Sequence, residues 1–192
     1  IPFPVYRVSV GNLREEIVAA MTVPGHRMDG RPPFFTSSGG MLHRQCTQDF
    51  KILPITRKVR ELIGLKKGQR GPKTPVVEQW IGISCDEAMR MKPSRLTYIK
   101  HRWPLIEKEM SRSHCLSWCS AKGYPKPPKS ACTFCPYHDD AHWRDMKMND
   151  PEAFAEAVII DETIRPGMPG PKRPPGVAWW VHRSQKPLAE ID

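Results

Sequence analysis

An α/β fold is what this sequence predicts: a layered, mostly parallel sheet flanked by helices, with a cysteine-rich helical C-terminal part. Three observations lead there. Short β-branched and aromatic runs alternate with amphipathic helical stripes. The stripes open on recognisable capping residues. Four of the six cysteines crowd into residues 115–135. A chain of 192 residues is long enough to bury a core. The expected division is one domain over 1–165 and a proline-rich arm over 166–192.

Taken in order, residues 4–10 read as a buried strand. Asn12 caps a helix, with Glu15 as its capping-box partner and Leu13, Ile17 and Ala20 on the apolar side. A Gly/Pro/His-rich loop covers about 23–43, and Ser37-Ser38-Gly39-Gly40-Met41 reads as a turn within it. Pro54 suits the first turn of a helix whose stripe is Ile55, Val59, Leu62 and Ile63, stopped by Gly64. A basic connector at 66–75 leads to Val-Val-Glu-Gln-Trp-Ile-Gly-Ile-Ser, the clearest buried strand. Ser84-Cys85-Asp86-Glu87 turns it into a short helix. Ser111 caps a helix through Lys122, stopped by Gly123, with Trp118 and Leu116 read as core. Two helices follow at about 138–148 and 151–164, the second capped by Asp150 with Pro151 at its first position. Val177 to Val181 is the last apolar patch.

Composition narrows the setting. The 39% hydrophobic and 26% charged residues are those of a globular chain on the polar side, and the 21 prolines cluster at 31–33, 125–128 and 166–175. No run reaches the roughly 18 apolar residues that cross a bilayer, and no basic-then-apolar leader opens the chain. A cytoplasmic location with no membrane partner is expected, and there reduced cysteines serve as ligands rather than disulfides. The formal net charge of +10 predicts attraction to polyanions such as nucleic acid or nucleotide phosphates.

The strongest chemical signal is Cys132-Thr133-Phe134-Cys135-Pro136. Two thiolates separated by two residues grip one metal centre, because the turn between them aims both sulfurs at one point. The plainer alternative is two buried thiols acting as small hydrophobes. Cys115 and Cys119, four apart on a helix, share a face. Cys85 stands beside Asp86 and Glu87, where a small buried residue explains it more simply than catalysis. Those two carboxylates suit Mg²⁺, or simply favour a helix start. His138 and His142 are placed for a mixed Cys/His zinc site. Asp139, Asp140, Asp145 and Glu152 look like solvated helix faces.

A resemblance joins these pieces. Arg44-Gln45-Cys46-Thr47 with Lys51, Pro54 and Ile55, followed about 85 residues later by Cys132-x-x-Cys135, resembles the phosphoadenosine phosphosulfate reductase family. That family belongs to the adenine-nucleotide α-hydrolase folds, or N-type ATP pyrophosphatases. Gly82-Ile83-Ser84-x-Asp86-Glu87-x-x-Arg90, Trp103-Pro104-Leu105-Ile106, Cys115 and Lys129-Ser130-Ala131-Cys132 are similar to its less characterised, often phage-borne branch. They are also similar to the sulfur-transfer proteins of DNA phosphorothioation. The likeness spans about 1–140. It implies a 4Fe-4S cluster on Cys46, Cys115, Cys132 and Cys135, with Cys119 in reserve for Cys115, since Thr47 stands where cluster-bearing members have a second cysteine. It further implies ATP or another adenine nucleotide, or a sulfonucleotide, with Arg44, Lys51 and Arg90 as phosphate or sulfate contacts.

Two departures shape the expected reaction. The family's Ser-Gly-Gly-x-Asp-Ser/Thr phosphate loop has no counterpart here; it would lie upstream of Ile1, so it is expected to be either truncated away or absent. No cysteine follows Cys135, so the C-terminal nucleophile of sulfonucleotide reductases is missing. Adenylation-coupled sulfur insertion fits better, with a sulfur donor protein and DNA or tRNA as acceptor. The rival expectation is a non-catalytic nucleic-acid-binding module with a structural zinc site built from four cysteines.

Overall fold

A computed structural model describes residues 3–127, 131–168 and 176–191. In chain order its helices are α1 (Leu13–Thr22), α2 (Leu53–Leu62), α3 (Pro104–Glu107), α4 (Arg112–Ala121), α5 (Asp140–Asn149) and α6 (Pro151–Ile164). Its strands are β1 (Phe35–Thr36), β2 (Val77–Trp80), β3 (Ile99–Arg102) and β4 (Trp179–Trp180). The chain divides into two units, the first made of residues 1–59 and 131–192, the second of residues 60–130.

In the first unit, local signals place the helices. Asn12 is extended and accepts the Arg14 N–H at 3.0 Å, satisfying one of the donors that open α1, while its amide meets Glu15 at 3.2 Å. Asp139 caps α5 through the His142 N–H at 2.7 Å. Asp150 caps α6 through the Ala153 N–H at 3.2 Å, and Pro151 takes the first helical position. α2 is entered through a π-helical turn over Gln48–Ile52. α2 runs on past residue 59 into the second unit, where Gly64, at φ +74°, ends the helical run.

β1 and β4 pair antiparallel, Phe35 opposite Trp180 and Thr36 opposite Trp179, so two segments far apart in sequence share a ladder. The Ser37–Gly40 segment is a turn, held by Thr36 Oγ1 donating to the Gly39 carbonyl at 2.7 Å. Ile17, Phe34, Trp143, Ile160, Ile164, Trp179, Val181 and Leu188 form a fully enclosed core, and Phe134 joins it. One buried charge organises the C-terminal return. The Asp161 carboxylate, 1% exposed, accepts the Val181 N–H at 2.8 Å and the Leu188 N–H at 3.0 Å and pairs with Arg165. Burial of that carboxylate is tolerated because every partner is a directed donor.

In the second unit, β2 and β3 pair in parallel, Val77 opposite Ile99 through Trp80 opposite Arg102. A 3-10 turn over Cys85–Arg90 follows β2. Ser111 caps α4, accepting the His114 N–H at 3.2 Å, and His114 Nδ1 accepts the Ser111 N–H at 3.2 Å: a capping box closed by histidine.

Several expectations need correction. Residues 4–10 are exposed and pair with no strand among the described residues, because nothing covers their valines. The layered, mostly parallel sheet is represented among the described residues by one parallel pair and one antiparallel pair. The run around β2 is half-buried, with Trp80 facing outward. Trp118 is exposed rather than core, because it stacks on Tyr124 at the surface. The compact units are bounded at 59/60 and 130/131, and Trp179, Val181 and Leu188 of the expected arm are built into the first core. Lys129 and Ser130, and the stretch 169–175 of the expected arm, lie outside the described residues.

Candidate functional site

Cys132 and Cys135 stand at the ends of a tight turn in the first unit, closed by the Cys135 N–H donating to the Cys132 carbonyl at 3.1 Å. The turn is fixed from below. Phe134, 4% exposed, inserts into the core, which leaves the flanking cysteines half-buried at its edge. It is braced from the side by His138, whose Nε2 lies 2.8 Å from the Cys132 carbonyl oxygen, while its backbone N–H donates to Cys135 at 3.1 Å. The His138 ring faces His142 at 3.9 Å between centroids and meets Trp143 edge-on at 4.9 Å.

The Cys46 segment reaches the same turn. Cys46 heads the helical run that becomes the π-helical turn and α2, and its N–H donates to the Arg31 carbonyl at 3.3 Å, beside Gln45 on the same acceptor at 2.9 Å. Asp49 accepts the Gly30 N–H at 3.2 Å. Gly30 is required there: its φ is +61°, and a Cβ would fall 2.4 Å from the Phe50 ring. Arg44 lies over the Tyr137 ring at 5.3 Å. Burial pushes the Cys132 thiol up from its ordinary value; Cys135 adds to this, Lys51 opposes it, and Cys46 raises it further. Cys46, Lys51, Cys132 and Cys135 therefore share one electrostatic neighbourhood, although more than 80 residues separate the two segments.

Of the expected ligands and contacts, the first unit unites Cys46, Cys132, Cys135, Arg44 and Lys51. Lys51 opposes the rise of the Cys132 thiol through its charge. Cys115 and Arg90 belong to the second unit, with Cys119 and Cys85. Cys115 and Cys119 are half-buried on α4, and Cys85 is exposed. Arg90 pairs with Glu87 of its own turn. Asp86 accepts the Arg112 N–H at the start of α4 and the Ser84 hydroxyl at 3.2 Å, and the Arg112 bond foremost holds its carboxyl below the ordinary value. These bonds give the carboxylate a structural role, joining the turn after β2 to the start of α4.

The donor set has the chemistry of a sulfur-ligated centre: three thiols, a nearby cation to offset thiolate charge, and a core-anchored turn. Among the described residues, no three His, Cys, Asp or Glu side chains are placed to hold one metal ion together. Cys46, Cys132 and Cys135 are the residues of this unit that would hold such a group. Tyr137 and Phe134 were missed as site residues; the only signal for Tyr137 was an aromatic directly after Cys135-Pro136.

The chain matches no family model, no curated protein and no solved structure.

Charge is unevenly shared between the units. Residues 60–130 carry 15 Lys and Arg against 6 Asp and Glu, a formal +9. Residues 1–59 with 131–192 carry 15 against 14, a formal +1. No helix among the described residues is long and apolar enough to cross a membrane.

Proposed function

We propose that this chain is a phosphoadenosine phosphosulfate reductase-like enzyme of sulfur metabolism or nucleic-acid thiolation, using an adenine nucleotide and a 4Fe-4S cluster in the cytoplasm. The observation that carries the reading is the convergence of Cys46 and Lys51 with Cys132 and Cys135, from segments distant in sequence. Arg44, carried over Tyr137, joins them. The reading rests on the three thiols of the first unit; the fourth ligand expected from the sequence, Cys115, lies in the other unit.

When bound, such a cluster supplies redox-active iron and sulfide. The protein's own residues do the rest. Phe134 and His138 fix the turn, Lys51 lowers the cost of gathering thiolates, and Arg44 offers a guanidinium beside the site for an anionic ligand.

A second reading is favoured by the concentration of charge in residues 60–130: a non-catalytic nucleic-acid-binding module with a structural zinc on the cysteines. Anaerobic purification separates the two. A brown protein absorbing near about 400 nm, with iron and acid-labile sulfide, supports the cluster. A colourless protein with about one zinc per chain supports the module.

A further inference from the structure

We propose that residues 60–130 form a binding surface for single-stranded nucleic acid, with unpaired bases stacking on outward-facing aromatic rings and phosphates meeting the surrounding Lys and Arg. The inference deepens the nucleic-acid branch of the proposed function and takes its biological sense from it, but its physical grounds are its own.

The first ground is the solvent face of the β2–β3 pair. Alternation along the two strands turns Glu78, Trp80, Lys100 and Arg102 outward. Trp80 is 64% exposed, an unusual position for the largest apolar side chain. It is also held still. Its Nε1 donates to Glu78 at 2.6 Å, and Arg102 lies over its ring at 5.3 Å. Arg102 is in turn anchored by Glu78 at 3.2 Å and by Glu107 at 2.9 Å. The result is an anchored ring bordered by a guanidinium, on a strand face that also carries Lys100.

The second ground lies at the end of α4. Trp118 and Tyr124 stack with centroids 5.9 Å apart and planes 18° from parallel, yet remain 52% and 59% exposed. Lys122 lies between them in sequence, and Lys126 follows. Rings kept in water by their own partners, inside a segment of formal charge +9, match the way single strands are held: π-faces for bases and cations for the backbone. A duplex keeps its bases stacked internally and offers such rings little, so a single strand is the fitting occupant.

The test uses the full chain and anisotropy of fluorescein-labelled oligothymidylate and oligouridylate of about 20 nucleotides, against a duplex of equal length, with heparin as a polyanion that cannot stack. Single strands are expected to bind more tightly than duplex. Trp80→Leu and Trp118→Leu should each weaken single-strand binding roughly fivefold or more while leaving heparin affinity unchanged. Trp118→Phe, which keeps a ring, should retain more binding than Trp118→Leu. Preference between the two oligonucleotides assigns DNA or RNA. Equal binding of duplex, insensitivity to both substitutions, parallel loss of heparin binding, or no binding at all overturns the inference. A brown protein that binds no oligonucleotide fails this inference and leaves the cluster reading standing; a colourless protein that binds does the reverse.

Discussion

Arg44 rests on the face of Tyr137, 5.3 Å from guanidinium carbon to ring centre, and so ties the residues just before Cys46 to those just after Cys135. With Lys51 and Cys46 acting on the Cys132 thiol, this contact makes the two segments one locus. Its cysteines should behave as a set. Cys132→Ser and Cys135→Ser are expected to lose nearly all bound iron or zinc, and Cys46→Ser to lose most of it, whereas Cys85→Ser keeps the wild-type content. Metal analysis by mass spectrometry after anaerobic purification checks this. Wild-type metal in Cys46→Ser would separate the two segments functionally.

Removing the Asp161 carboxylate should be costly. Asp161→Ala leaves two buried N–H groups and the Arg165 guanidinium without their acceptor, and losses of this kind run to about 3–5 kcal/mol. Asp161→Asn, which keeps one acceptor oxygen, should lose less. Urea denaturation followed by the near-ultraviolet signal of the core tryptophans reads the difference, and a change of under about 1 kcal/mol for the alanine variant would contradict the assigned role.

The helices were the most legible part of the fold, because their signals are local: Asn12, Ser111 and Asp150 each cap the helix they were expected to cap. The Cys132–Cys135 turn was legible for the same reason. What stayed hidden depends on partners far along the chain. A two-residue strand such as β1 carries no periodicity of its own and exists because β4 pairs with it across some 140 residues. Trp118 has the composition of a core residue; Tyr124, six positions on, sets its exposure. The division at residues 60 and 130 left a trace in the sequence only as the excess of Lys and Arg between them, which marks a basic segment without locating either boundary.

Acid should loosen the fold in a defined window. The Asp29 N–H, and then His26, hold the Glu16 carboxyl below the ordinary glutamate value of 4.5. The His182 hydrogen bond, and then that of Arg183, hold Asp140 below the ordinary aspartate value of 3.8. A carboxyl whose folded value is depressed binds its proton more readily in the unfolded chain, so stability rises with pH in this range. The contribution is complete above those ordinary values and disappears as pH falls through the lowered ones. Melting temperatures measured from pH 7 to pH 3 should drop at the acid end, and Glu16→Gln with Asp140→Asn should flatten that drop.

Gly167 is expected to resist substitution. It sits at φ +66°, and a Cβ there would stand 2.1 Å from the Val177 carbonyl oxygen. Gly167→Ala therefore combines backbone strain with a backbone clash, a cost of about 1–3 kcal/mol for the strain alone. A fall of several degrees in melting temperature checks it; an unchanged midpoint would show that the Val177 segment yields freely.

Because residues 60–130 interrupt the first unit, they leave the ribosome before Trp143, Trp179 and Leu188 have been made. The inserted unit can complete itself on the nascent chain, while α1 and Phe34 wait with their apolar faces uncovered. Residues 13–34 are thus the stretch most in need of chaperone shelter during synthesis. Release from stalled translation after residue 130 and before Leu188 should yield a product that aggregates through that N-terminal surface while its middle third remains well formed.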